Sequence, residues 1–183
     1  MNTKSMIITC AALLFACTGA VASDRAGFER MPSGTYAQLL GDAGHAYDRK
    51  DYNKAFPRIQ RAACAGDKTS QVLLGRMYIL GQGTEKNDLK GYAWITAAAE
   101  YRFPRFTSLA GRLEQALTAE QRSKGNTLAD SYKQHYGLVA TQMDCQGSAR
   151  PGAKIVDRVI CTPQTAGGLD VWVHRCEGGK AEP

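Results

Sequence analysis

The chain has 183 residues, and 23 Lys and Arg against 17 Asp and Glu give it a net charge of +6. This length suits one domain with a moderate core, so a second full domain is not expected. The positive charges are spread along the chain without a run of like charges. Such a pattern is typical of a solvated surface and argues against a dedicated site for an anionic partner such as nucleic acid.

Residues 1–22 are expected to be a signal peptide. A short charged start precedes an apolar run over residues 6–16, which is too short to span a bilayer. Small residues at 20–22 fit the pattern for cleavage after Ala22. Residues 14–17 resemble a bacterial lipobox, so the alternative is an envelope lipoprotein anchored at Cys17.

Four of the six cysteines lie beyond this leader. An even number of cysteines in an exported chain predicts disulfides and an oxidising compartment, here periplasmic or secreted. Their spacing fits no structural zinc site, and we expect no metal. The candidates for disulfide bonding are Cys64, Cys145, Cys161 and Cys176.

In chain order, residues 23–35 mix Gly, Pro, charge and isolated apolar residues, which predicts an irregular lead-in. Residues 36–48 carry apolar side chains at helical spacing. Gly41 and Gly44 each lower helicity by about 1 kcal/mol relative to Ala, but a pair of small residues suits a close helix crossing. In the next helix, from about Asp51, Pro57 predicts a local kink or a late helix start.

Residues 70–100 predict two helices joined by a glycine turn. Apolar side chains keep helical spacing before Gly81-Gln82-Gly83 and again after it. The residues that fall in one register across this stretch are Leu74-Gly75, Met77-Tyr78, Gly81, Gly83, Lys90, Trp94 and Ala98-Ala99. Their order resembles the Sel1-like repeat, a relative of the tetratricopeptide repeat.

The resemblance extends to neighbouring segments. Residues 36–66 and 70–100 read as two tandem copies, and residues 105–116 read as the first helix of a third, degenerate copy. Thr118 and Gln121 have the spacing of a capping box for a last helix that ends near Gly137. The array therefore covers residues 36–137, and the resemblance implies a mainly α, right-handed solenoid of αα-hairpins of an exported bacterial type.

Residues 138–183 predict a small C-terminal tail. Residues 154–161 and 169–174 are rich in β-branched side chains, which predicts a β-hairpin. A two-stranded hairpin is marginal alone, so we expect it to be disulfide-linked and to cover one end of the short array. Three connectivities remain open. We prefer Cys145 with Cys161 and Cys64 with Cys176, because Cys64 follows the Ala-Ala pair, where the repeat usually has an outward side chain.

No pattern in the sequence demands catalysis or a cofactor. His45, His135 and His174 lie on different predicted elements and lack a companion at metal-ligand spacing. His174 and Cys176 share a strand face and suggest a nucleophilic pair or a metal site, but a disulfide at Cys176 would remove the thiolate. Gly81-x-Gly83 ends a helix, which indicates a turn and not a phosphate loop.

The resemblance implies a non-enzymatic envelope protein that binds a protein or peptide in the groove of its stacked first helices. The candidate contact residues are Gln38, His45, Gln71, Arg76, Ser108 and Arg112. Two alternatives are a cell-wall-related or β-lactam-binding, hydrolase-like protein of the cysteine-rich Sel1 type and a structural envelope lipoprotein.

Overall fold

The structure is a computed structural model that describes residues 25–149, 151–152 and 156–176. The signal peptide expected in residues 1–22 and the last residues of the chain, 177–183, lie outside the described residues. The helices are α1 (Ser33–Asp48), α2 (Tyr52–Cys64), α3 (Lys68–Leu80), α4 (Asp88–Ala98), α5 (Pro104–Ala116), α6 (Ala119–Tyr136) and α7 (Leu138–Thr141), with a 3-10 turn at Ala99–Tyr101. The strands are β1 (Phe28–Pro32), β2 (Asp144–Ser148), β3 (Arg158–Thr162), β4 (Thr165–Gly167) and β5 (Asp170–His174).

The first four helices stack as two consecutive hairpins, and α5 and α6 both pack on α4. Helix α1 packs on α2, α3 on α4, and the hairpins are joined through α2 with α3 and α4 with α6. Trp94 on α4 is fully buried, and its ring stacks on Tyr132 and Tyr136 of α6 at centroid distances of 4.3 and 5.3 Å. These aromatic side chains connect the second copy to the third.

The ends of the helices are fixed by local sequence. Asp67 caps α3 by accepting a hydrogen bond from the Ser70 N–H at 2.6 Å. Gly81 ends the same helix in the left-handed conformation, at φ 65°. At the start of α6, Thr118 and Gln121 form the predicted capping box. The glycine turn and the last helix of the array are therefore confirmed.

Helices α3 and α4 cross at close range. A Cβ atom on Gly75 would lie 2.7 Å from the Gly91 carbonyl oxygen, and one on Gly91 would lie 2.7 Å from the Gly75 carbonyl oxygen. By contrast, a Cβ built on Gly41 or Gly44 has no atom within 4 Å beyond the neighbouring backbone of its own helix. The prediction that this second pair forms a close crossing was wrong, because their side of α1 faces away from the neighbouring helices.

Helix α2 begins at Tyr52 and contains Pro57 in its second turn. Of the two expected outcomes, a local kink or a late helix start, the late start was therefore wrong. Proline lacks an N–H and removes one hydrogen bond near the start of the helix. Tight packing of the later residues compensates, since Ile59 is fully buried.

The lead-in is not irregular as expected, because Phe28–Pro32 forms strand β1. This strand pairs antiparallel with β5, with Phe28 opposite His174 and Pro32 opposite Asp170. Arg30 and Asp170 add a salt bridge of 2.7 Å. A partner about 140 positions away in sequence supplies the backbone hydrogen bonds that the local sequence does not reveal.

Both predicted tail strands exist, but they do not pair with each other. Strand β3 pairs with β2, and β5 lies between β1 and β4. The disulfide-linked hairpin is β2 with β3, where Cys145 lies opposite Cys161 and is bonded to it. The second disulfide joins Cys64 to Cys176. This is the connectivity that we preferred from the sequence, although Cys64 is fully buried and does not face outward.

Candidate functional site

An open groove lies between α3 and α5, the first helices of the second and third copies. It encloses about 880 Å³. Its floor is mainly aliphatic, with Val72 and Leu73 on α3 facing Leu109 and Leu113 on α5. We call it the α3–α5 groove.

The groove exists because α5 is only partly packed. Phe106 is the buried residue of this helix, whereas Leu109 and Leu113 are half-buried. The main helix neighbour of α5 is α4. An amphipathic helix normally covers its whole apolar stripe, so this half-covered stripe is the unusual feature of the array.

The tail covers the remaining part of the first-helix face. Tyr36 of α1, Phe103 next to α5, Val159 of β3 and Val173 of β5 belong to one apolar cluster. The Ser33 N–H also donates to the Leu169 carbonyl at 2.9 Å. The strands thus occupy the side near α1 and leave the α3–α5 section open.

Strand β3 forms an end wall of the groove. Thr69 Oγ1 on α3 donates to the Val159 carbonyl at 3.4 Å, and Arg105 Nη1 on α5 donates to the Asp157 carbonyl at 3.2 Å. Because β3 is joined to β2 through Cys161, the disulfide-bonded hairpin connects the two sides of the groove.

Four arginines surround this apolar floor. Arg76 lies on α3, Arg105 and Arg112 lie on α5, and Arg158 lies on β3. All four are exposed. The sequence suggested evenly spread charge, but the fold brings together arginines that are up to 82 positions apart in the numbering.

The structure separates the six contact residues proposed from the sequence. Arg76, Ser108 and Arg112 line the α3–α5 groove, and Arg112 Nη1 donates to Ser108 Oγ at 2.7 Å. Gln38 and His45 are exposed on α1 but do not line this groove. Arg76, Ser108 and Arg112 therefore form the candidate site.

Gln71 was wrongly assigned to the exposed surface. It is fully buried, and its Nε2 donates to the carbonyls of Ala63 at 3.0 Å and Tyr136 at 2.8 Å. Its Oε1 accepts from Lys68 Nζ at 3.0 Å. Helical spacing alone placed Gln71 on an outward face, but a polar side chain that joins two helix ends belongs to the interior.

A buried ionic network surrounds Gln71. Lys68 Nζ lies 2.6 Å from Glu100 Oε1, which also accepts from the Leu138 N–H at 2.8 Å. Burial lowers the pKa of Lys68, and the Glu100 carboxylate opposes this change. Burial also raises the pKa of Asp67, and the hydrogen bond from Ser70 opposes this change. Each charged group in this network has its partner inside the protein, so we assign the network a structural role.

The residues considered for nucleophilic or metal chemistry do not form such a site. Cys64 and Cys176 are bonded to each other, so neither presents a thiolate. His174 packs edge-on against Phe28 with ring centroids 5.0 Å apart. Within residues 25–149, 151–152 and 156–176, no group of three His, Cys, Asp or Glu side chains is arranged to hold a metal ion.

Comparison with solved structures places this architecture among known folds. The chain is similar to c5321, a protective antigen present in uropathogenic Escherichia coli strains displaying an SLR fold, with a TM-score of 0.53 and 25% identity. The match covers 64% of this chain and 27% of that chain. The fold is a Sel1-like helical repeat. No protein-family model matches the chain, and the comparison with curated proteins gives no match.

The Sel1-like repeat fold explains the roles of several residues in the second copy. Gly75 allows α3 and α4 to approach closely, and Trp94 is core and not a ligand platform.

In the described part of the chain, no helix is long and apolar enough to cross a membrane.

Proposed function

We propose that this protein is an exported, non-enzymatic scaffold of the bacterial envelope that binds another protein or a peptide in the α3–α5 groove. The observation that carries the proposal is the open apolar floor between the first helices of two successive copies. Helical repeat arrays use such extended concave surfaces for binding. An exposed apolar groove rimmed by polar side chains is also a common mark of a protein interaction site.

Two features support export. Both disulfides suit an oxidising compartment outside the cytoplasm. The leader expected in residues 1–22 has the composition of a signal peptide. Amino-terminal sequencing of the protein isolated from its own organism tests this part, and a terminus at Ser23 is the expected result.

Site-specific photo-crosslinking tests the groove. A photoreactive residue replaces either Ser108, which lines the groove, or Arg122, which is exposed on α6 outside it. Ser108 should give discrete adducts with a protein partner in the native organism, and Arg122 should not. Adding Leu113→Glu to the Ser108 variant places a charge on the apolar floor and should abolish the Ser108 adducts. Adducts of equal strength from both positions, or adducts insensitive to Leu113→Glu, would contradict the proposal.

A further inference from the structure

The rim of the α3–α5 groove carries four arginines and one acidic residue, Asp157, so positive charge is in excess there. Arg76 and Arg112 form no salt bridge within the described part of the chain. Arg105 and Arg158 donate to the backbone carbonyls of Asp157 and Ala149, both at 3.2 Å. A guanidinium has five N–H donors, so each of the four retains donors for a ligand.

We propose that the α3–α5 groove binds an acidic, amphipathic segment of a partner protein. Its apolar side chains lie on the aliphatic floor of the groove, and its carboxylates pair with the arginines. This inference rests on the proposed function, because it names the chemistry of the partner for the same groove. Arginine matches carboxylates through two parallel N–H···O bonds, which makes the pairing directional.

The dimensions of the groove suit a short helical segment. Its lining on α3 extends from Thr69 to Leu80, which is roughly 17 Å of helix. Arg105 and Arg112 are seven residues apart on α5, so they lie on one face at a separation of about 10 Å along the axis. Arg76 lies across the groove on α3. A helix of about three turns can therefore place acidic side chains against both walls.

The aliphatic floor distinguishes this partner from nucleic acid. Single-stranded nucleic acid is usually held by exposed aromatic side chains on which bases stack. The two phenylalanines of the lining, Phe103 and Phe106, are buried. The apolar surfaces left open include Leu80, which is 56% exposed, and the half-buried Leu73, Leu109 and Leu113. Such surfaces complement aliphatic side chains better than sugars and phosphates.

Three fluorescein-labelled peptides test the inference by fluorescence anisotropy with the disulfide-bonded mature chain. Each has about four helical turns with leucines at helical spacing. They differ only in the residues on either side of the leucines, which are Glu in one peptide, Gln in the second and Lys in the third. We expect the Glu peptide to bind roughly tenfold more tightly than the Gln peptide, because several exposed ion pairs each contribute modestly. The Lys peptide should bind most weakly.

Charge reversal supplies the matched comparison. Arg76→Glu with Arg112→Glu should reverse the preference, so that the Lys peptide binds more tightly than the Glu peptide. Arg122→Glu with Lys124→Glu removes the same charge from the exposed face of α6 and should leave the preference unchanged. Circular dichroism and the urea unfolding midpoint verify that both double variants are folded.

Several outcomes overturn the inference. Equal affinity for the Glu and Gln peptides would show that the groove binds apolar segments without selecting their charge. The proposed function would then stand, and the proposal of an acidic partner would be rejected. An unchanged preference in the Arg76 and Arg112 variant places the selection elsewhere. Displacement of the Glu peptide by a tighter-binding oligothymidylate assigns the arginines to nucleic acid. If none of the peptides binds, the acidic partner also fails, and crosslinking from Ser108 decides the proposed function separately.

Discussion

Lys68 Nζ lies 2.6 Å from Glu100 Oε1 where the end of α4 meets the start of α3. The ammonium is fully buried, whereas the side chain of Glu100 is 23% exposed. Since Glu100 also accepts from the Leu138 N–H at 2.8 Å, the pair connects the second copy to the start of the tail. A buried charge is tolerated only when its partner is present.

Glu100→Gln should lower the free energy of unfolding by roughly 2 to 4 kcal/mol, because the buried ammonium of Lys68 then loses its hydrogen-bonded counter-charge and keeps only the weaker attraction of Asp67. Adding Lys68→Met should recover part of the loss by removing the buried ammonium. Urea unfolding followed by circular dichroism measures both effects. Lys86→Met, which removes an exposed pair with Asp88 at 3.3 Å, is the control and should change stability by less than about 1 kcal/mol. Additive losses in the double variant would contradict this explanation.

The buried carboxyl of Asp67 should make stability depend on pH. Burial raises its pKa in the folded state above the unfolded value. The folded state therefore binds the proton more tightly, and the stability that this contributes is present below the unfolded pKa and lost as pH rises through the folded pKa. Asp67→Asn keeps the cap on the Ser70 N–H and does not titrate.

The stability of Asp67→Asn relative to wild type should therefore increase from about pH 4 to neutral pH. Urea unfolding at a series of pH values measures this difference. Asp42→Asn, on the exposed face of α1, controls for the loss of one negative charge. A difference that stays constant or decreases as pH rises would exclude the burial argument.

The helices of the array could be predicted because their signals are local. Helical spacing, the cap at Thr118 and the left-handed Gly81 act within a few residues, so the sequence between 36 and 137 shows them directly. Strand β1 was not predicted, because the signal for this strand is not local. Phe28 and Met31 are buried, but the partner that makes this stretch a strand is β5 near the other end of the chain.

The candidate site could be predicted only in part for the same reason. Arg76, Ser108 and Arg112 were found because they lie on first helices away from the repeat core. Arg105 and Arg158 were missed, since nothing in the sequence shows that β3 ends the groove. Gln71 was misplaced because a helical wheel does not show that the last residue of α6, Tyr136, brings its carbonyl within reach of α3.

The two disulfides should contribute unequally to stability. Cys64 and Cys176 are separated by 112 positions, whereas Cys145 and Cys161 are separated by 16. The chain-entropy argument gives about 4.7 kcal/mol for the longer loop and about 3 kcal/mol for the shorter one. Cys64→Ala with Cys176→Ala should therefore cost more than Cys145→Ala with Cys161→Ala. Urea unfolding of the two double variants compares them directly, and the reverse order would show that native-state contacts outweigh loop entropy.

Hydrogen exchange should distinguish the second copy from α5. Trp94 and Leu74 are fully buried in the α3–α4 hairpin. The amides of this hairpin should therefore exchange most slowly, because the openings that expose them are rarely populated. Helix α5 has Phe106 as its buried residue and should exchange faster despite a similar length. Native-state exchange followed by mass spectrometry resolves the two segments. Equal protection would mean that α5 opens only together with the whole array.

Glycine substitutions test the close crossing of α3 and α4. Gly75→Ala places a Cβ 2.7 Å from the Gly91 carbonyl oxygen and 2.6 Å from Ile95 Cγ1, so the helices must separate. We expect a loss of about 1 to 3 kcal/mol, which is typical of overpacking. Gly41→Ala is the matched control within a helix, where the new Cβ has no atom within 4 Å beyond the neighbouring backbone of its own helix. It should stabilise the protein by about 0.5 to 1 kcal/mol because alanine favours the helix. Urea unfolding measures both changes, and a neutral effect of Gly75→Ala would show that the crossing tolerates a wider spacing.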